Sequence, residues 1–160
     1  MLYINIDADK SLMGRDMRMI EVGADYAVTD KLKIWAQYLR SGKPDLRIIA
    51  NMQNFRYSKN GWAAGINIGK IDKDKPGSYE VKFGYYNIPA FATIATTLEN
   101  IMTINSFGQR GWLVGTSVVL AKNIDFNVEY SRFKWKETNP SGAGGKTSRN
   151  MLWSYVRFYF

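Results

Sequence analysis

Two pairs of carboxylates, Glu21 with Asp25 and Asp125 with Glu129, repeat the same spacing of four residues. On a strand that spacing spans about 13 Å by rise, far beyond the roughly 5 Å that a retaining acid and nucleophile pair requires. Paired-carboxylate acid/base chemistry is therefore closed to both. The spacing is even, so each pair shares one strand face, and Lys33, Glu80, Lys82 and Arg157 fall on the same face by parity. Such a row of charges can hold water and bias small ions by its field. With Asp7 and Asp9 the face carries seven acids against three bases, whereas the whole chain is +8. Turns, loops and strand ends supply the basic excess. Plain solvation of a wetted surface explains these charges as well as a conduction path does.

Other chemistry is excluded by composition. The chain has no His and no Cys, which removes Ser-His-Asp catalysis, His–metal ligation, thiolate metal sites and disulfides. No enzymatic activity, metal or cofactor is expected. Lys and Arg are scattered among loops without a groove-binding motif, so nucleic acid is not an expected partner. At 160 residues the chain is one domain or part of one. Mean hydropathy is −0.30, and no apolar run approaches the length of a transmembrane helix. Met1 is followed by Leu-Tyr-Ile-Asn-Ile-Asp, which has no signal-peptide pattern. Residues 1–160 are thus expected to be a mature chain or the C-terminal piece of a longer one.

The elements that must position these charges are strands. Alternation with period two marks eight of them, at about 2–9, 18–28, 32–40, 61–69, 79–87, 111–120, 124–134 and 149–160. Most have the nine to eleven residues that a tilted strand needs to cross a bilayer. Opposite the charged face runs an apolar one, carrying for example Ile20, Val22, Tyr26, Ile34, Ile66, Phe83, Val114, Phe126 and Val156, with no charge among its central positions. Alternation alone leaves a soluble barrel open, and two finer features weigh against it. Connections alternate between short (29–31, 70–78, 121–123) and long (41–60, 88–110, 136–148), a transmembrane-barrel pattern. Aromatic residues also sit at both ends of the apolar face. Tyr38, Trp62, Tyr85, Trp112 and Tyr130 fall at the long-loop end, where amphipathic rings favour a membrane–water interface. The fold expected is an all-β, antiparallel, up-and-down transmembrane β-barrel, about eight strands being present out of roughly 16.

The last strand ends on an apolar register of Leu152, Val156, Phe158 and Phe160. A terminal Phe on an alternating strand resembles the C-terminal assembly signal of outer-membrane β-barrels, which implies the barrel-assembly machinery as a partner. Residues 23–40 (GADYAVTDKLKIWAQYLR) and 115–132 (GTSVVLAKNIDFNVEYSR) align without a gap, as two hairpins converging on one solution would. Arg40 and Arg132 follow Tyr38 and Tyr130 by two residues on the apolar parity. That puts them at headgroup level, where they either contact lipopolysaccharide phosphates or simply snorkel. Between 88 and 110, apolar Phe91, Ile94, Leu98, Ile101, Met102 and Ile104 recur at helical spacing, as a short helix that constricts a channel or packs over its rim would.

Several segments together resemble the C-terminal half of the S-layer-homology-domain porins of diderm Firmicutes. They are Lys31-Leu-Lys-Ile-Trp-Ala, Trp62-Ala-Ala-Gly-Ile-Asn with Lys75-Pro-Gly-Ser-Tyr-Glu80, Gly111-Trp-Leu-Val-Gly115 with Ala121-Lys-Asn-Ile124, and Val156-Arg-Phe-Tyr-Phe160. In that family a signal peptide, an S-layer-homology domain and a linker precede the barrel; none is seen in these 160 residues. The resemblance implies an outer-membrane porin segment passing ions and small hydrophilic solutes, with membrane lipids as partners and a homo-trimer as one assembly open to it. The competing expectation is a small closed eight-stranded barrel with a structural or adhesive role and no open pore.

Overall fold

The computed structural model describes residues 2–9, 17–41, 58–89, 108–136 and 148–160. They form eight strands: β1 (Leu2–Asp9), β2 (Met17–Thr29), β3 (Leu32–Ser41), β4 (Asn60–Gly69), β5 (Tyr79–Ile88), β6 (Gln109–Ala121), β7 (Ile124–Trp135) and β8 (Ser148–Phe158). The chain is all-β. Each strand pairs antiparallel with the next, giving one up-and-down sheet in the order β1 to β8. Among the described residues no pairing joins β1 to β8, so each has one unpaired edge.

Every expected strand is present, with ends shifted by at most two residues. Two shifts have physical reasons. β6 starts at Gln109 and not at 111, because Gln109 and Arg110 still pair with Trp135 and Lys134. β8 stops at Phe158 and not at 160, because its partner β7 begins at Ile124, opposite Phe158. Beyond that point the N–H of Tyr159 bonds the Asn123 carbonyl in the β6–β7 turn, at 2.9 Å. The long connections expected at 41–60, 88–110 and 136–148 lie mostly outside the described residues, as does the helix expected around 91–104.

The internal repeat has a structural counterpart. β2–β3 and β6–β7 each carry a register shift just before a two-residue turn, between Ala27 and Thr29 in one and between Val119 and Ala121 in the other. These positions are equivalent in the alignment, and Val28 and Leu120 are the extra residues of the two bulges. At this end of the sheet the turns clasp one another. Gly69 N–H bonds Lys31 O at 2.7 Å, Gly77 N–H bonds Val119 O at 2.8 Å, and Asn123 N–H bonds Lys73 O at 3.0 Å. The nine-residue β4–β5 connection is thereby folded flat against its neighbours, with Ser78 Oγ donating to Asp72 O at 2.9 Å.

Burial is confined to one face. Leu39, Ala63, Ile88, Leu113, Val119 and Phe133 are buried on it, together with Asp125, Asn127, Glu129 and Ser131. Its apolar members Leu39 and Ile88 pack with Tyr86 at the long-loop end, and the charged members lie nearer the short turns. The opposite face is open.

Candidate functional site: the polar face and its apolar reverse

Antiparallel registers align residues of one face in rows across the strands, and one such row runs Lys82, Gly115, Glu129 from β5 to β7. Gly115 has no side chain, so Lys82 and Glu129 close over it as a direct ion pair. A Cβ there would lie 2.7 Å from Lys82 Cε and 3.0 Å from Glu129 Cγ. Glu129 is only 4% exposed, and a carboxylate so buried costs several kcal/mol unless it is paired. The glycine is what permits the pairing.

Two rows nearer the short turns, Asp125 is 2% exposed and fully partnered. It accepts from Asn127 Nδ2 at 2.6 Å and from the Tyr159 hydroxyl at 2.8 Å, and Arg157 Nε lies 3.7 Å away. Ser117 Oγ donates to Asn127 Oδ1, and Arg157 Nη2 donates to the Tyr155 hydroxyl at 3.2 Å. Lys73 sits over the Tyr159 ring at 3.5 Å. Desolvation first, and donation to Asp125 second, hold the Tyr159 phenol above its ordinary pKa. The cluster ties the end of the chain to β7.

Toward the long-loop end the same face is aromatic. Trp35 (β3), Tyr86 (β5) and Phe133 (β7) run across it with ring centroids 5.9 Å and 6.0 Å apart. Tyr86 and Phe133 meet above Gly111, which is opposite both in register. Trp35 lies against Gly65 and donates from Nε1 to Asn67 Oδ1 at 3.2 Å.

The reverse face is apolar and exposed. Of twenty exposed large hydrophobic residues among those described, eighteen lie on it, Trp153 being on the polar face and Phe160 beyond the end of β8. Its aromatic residues form two bands that cross the strands obliquely. Tyr38 pairs with Trp62, Tyr85 with Trp112 and Tyr130 with Leu152, each pair displaced by two residues from the one before. At the other end Tyr26, Tyr79 and Phe158 follow a parallel course: the row through Tyr26 meets β5 at Phe83, and the row through Tyr79 meets β8 at Val156. Both bands slip by a mean of one residue per strand.

The residues singled out by spacing fall as follows. Glu21, Asp25, Lys33, Glu80, Lys82, Asp125, Glu129 and Arg157 share the polar face. The structure brings together Lys82 with Glu129 and Asp125 with Arg157. Glu21 and Asp25 stand on β2, five strands from Glu129, about 24 Å by strand spacing. Asp7 and Asp9 are opposite Met19 and Met17. Leu152, Val156 and Phe158 lie exposed on the apolar face, and Phe160, beyond the end of β8, is exposed as well. Arg40 and Arg132 continue the apolar parity beyond the aromatic band. Spacing missed Arg110, Lys134 and Phe133, although carrying the parity two residues past Trp112 and four past Tyr130 reaches the first two. Among the described residues no cluster of acids could hold a metal, and no helix is long and apolar enough to cross a membrane. No protein-family model matches the chain, and comparison with curated proteins gives no match.

Proposed function

We propose that this sheet is part of the wall of an outer-membrane β-barrel porin, with its polar face lining an aqueous passage for ions and small hydrophilic solutes. The inverted polarity of the sheet carries the reading. The eighteen side chains of the apolar face leave on the order of 1,500 Å² of apolar surface exposed, against the few hundred usual for a water-soluble protein. At 25 cal/mol per Å² that is about 40 kcal/mol of hydration cost, which hydrocarbon would relieve. Exposed Lys33 and half-buried Glu21, Asp25 and Glu80 on the other face fit a wetted interior. The short turns, the aromatic bands and the resemblance to S-layer-homology porins agree with this placement, and the outward register of Leu152–Phe160 suits the assembly signal. The unpaired edges of β1 and β8 favour further strands in the wall, since open backbone groups in lipid cost several kcal/mol each.

One observation favours the small closed barrel as a second reading. The polar face is filled around β5–β7 by Trp35, Tyr86 and Phe133, as the interior of an eight-stranded barrel would be. Planar-bilayer recording on this chain, alone and joined to strands that complete the wall, separates the two. The porin reading expects conductance only from the completed wall, with ion selectivity shifted by Lys33→Glu or Glu80→Lys. A stable, non-conducting barrel formed by the chain alone would favour the second reading. A cooperatively folded monomer in plain buffer would overturn both.

A further inference from the structure

The apolar face ends in a regular way on six successive strands. One outward position beyond Tyr38, Trp62, Tyr85, Trp112, Tyr130 and Leu152 stand Arg40, Asn60, Asn87, Arg110, Arg132 and Asn150. Every one is an arginine or an asparagine. At β6–β7 this level becomes a cluster. Arg110 is directly opposite Lys134, and Arg132 precedes Lys134 by two residues on the same face. The three cations stand about 5–8 Å apart at Cβ. Like charges directly opposite on a ladder repel, yet all three are exposed, and among the described residues none of their side chains has a hydrogen bond or ion pair. Asn87, the other cross-strand neighbour of Arg110, has a buried side-chain oxygen with no hydrogen-bond partner. Trp112 and Tyr130, 5.4 Å apart, border the cluster on its apolar side.

Resting on the membrane placement proposed above, we infer that Arg110, Arg132 and Lys134 form a binding site for the phosphate of an anionic membrane lipid. An anion relieves the repulsion and gives guanidinium donors the charged oxygens they match best. The ligand is a lipid and not a nucleic acid or a free anion, because the cluster borders an exposed apolar face that only acyl chains would cover. The aromatic pair then lies against the upper part of the chains, where such rings prefer to sit. Spacing pointed to Arg132 alone at this corner; the register adds Arg110 and Lys134 and makes a three-point site.

Native mass spectrometry of the full chain in detergent micelles, with equimolar phosphatidylglycerol and phosphatidylcholine, tests this. Preferential retention of phosphatidylglycerol is expected, weakening about fivefold for each cation removed in Arg110→Gln, Arg132→Gln and Lys134→Gln, and falling with salt. Lys70→Gln, at the opposite end of the sheet, should leave it unchanged. Equal retention of both lipids, or a preference that survives the Arg110→Gln/Lys134→Gln double substitution, overturns the site while leaving the membrane placement standing. Displacement of the lipid by millimolar inorganic phosphate alone reassigns the cluster to a free anion and overturns the lipid assignment. Folding without detergent removes the placement, and the site with it.

Discussion

Glycine 115 does more to define the polar face than any charged residue on it. Lys82 and Glu129 stand on strands that are not neighbours, and they meet only because the residue between them has no side chain. Gly115→Leu should therefore part the ions and leave Glu129 buried without a partner, a loss of about 3–5 kcal/mol. Gly115→Ala should cost less, since flexible Lys82 can yield. Urea unfolding in micelles checks this, with Lys82→Gln, Glu129→Gln and the double variant as a cycle. Additive single effects would mean that the pair contributes nothing. Little of this was readable beforehand. Parity places Lys82 and Glu129 on one face, because the period of a strand is fixed, but which residues oppose one another depends on register, and register depends on the turns. The Asp125 cluster was hidden for the same reason, as Tyr159 reaches Asp125 only because the chain end is held at Asn123.

Among the elements, the strands were legible and their ends were not. Long stretches such as β6 and β7 alternate so regularly that existence, direction and face follow from the residues. The ends failed where polar Gln109 and Arg110 interrupted the apolar alternation while the backbone ladder continued. The bulges were equally invisible, since Val28 and Leu120 read as ordinary apolar positions. Their placement makes a prediction. Leu120 is the surplus residue between Val119↔Asp125 and Ala121↔Ile124, so deleting it leaves every other pairing of the hairpin intact. The cost should be confined to a tightened turn, of order 1–2 kcal/mol. Deleting Thr116 instead would slip the rest of β6 by one residue and turn Trp112 and Val114 onto the polar face, which should abolish folding. Heat-modifiable migration on gels and the strand signal in circular dichroism distinguish the two. Equal tolerance of both deletions would mean that the register is not fixed by the faces.

For the molecule as a whole, the aromatic bands encode an orientation. If rings of both bands mark the two surfaces of a bilayer, as the proposed placement requires, each band must lie parallel to the membrane plane. Both bands slip by a mean of one residue per strand. One residue is about 3.3 Å along a strand and neighbouring strands are about 4.8 Å apart, so the strands must lean about 35° from the membrane normal. That is the lean a closed barrel needs to stagger its hydrogen bonds. Given the proposed placement, it follows from register and ring positions, before any closure of the sheet is assumed. The cations beyond the upper band keep the same slope, since Arg40, Arg110 and Arg132 each stand two residues past an aromatic, so headgroup contacts would share one level around the wall. Polarised infrared spectroscopy of the strand-completed protein in oriented bilayers measures the lean from amide I dichroism. A value near 35–40° is expected, close to that of known barrels. Strands within about 15° of the normal would put the rings of one band at unequal depths, and strands lying in the membrane plane would place the polar face in headgroups. Either outcome would refute the bands as interfacial belts, and the spanning arrangement they support.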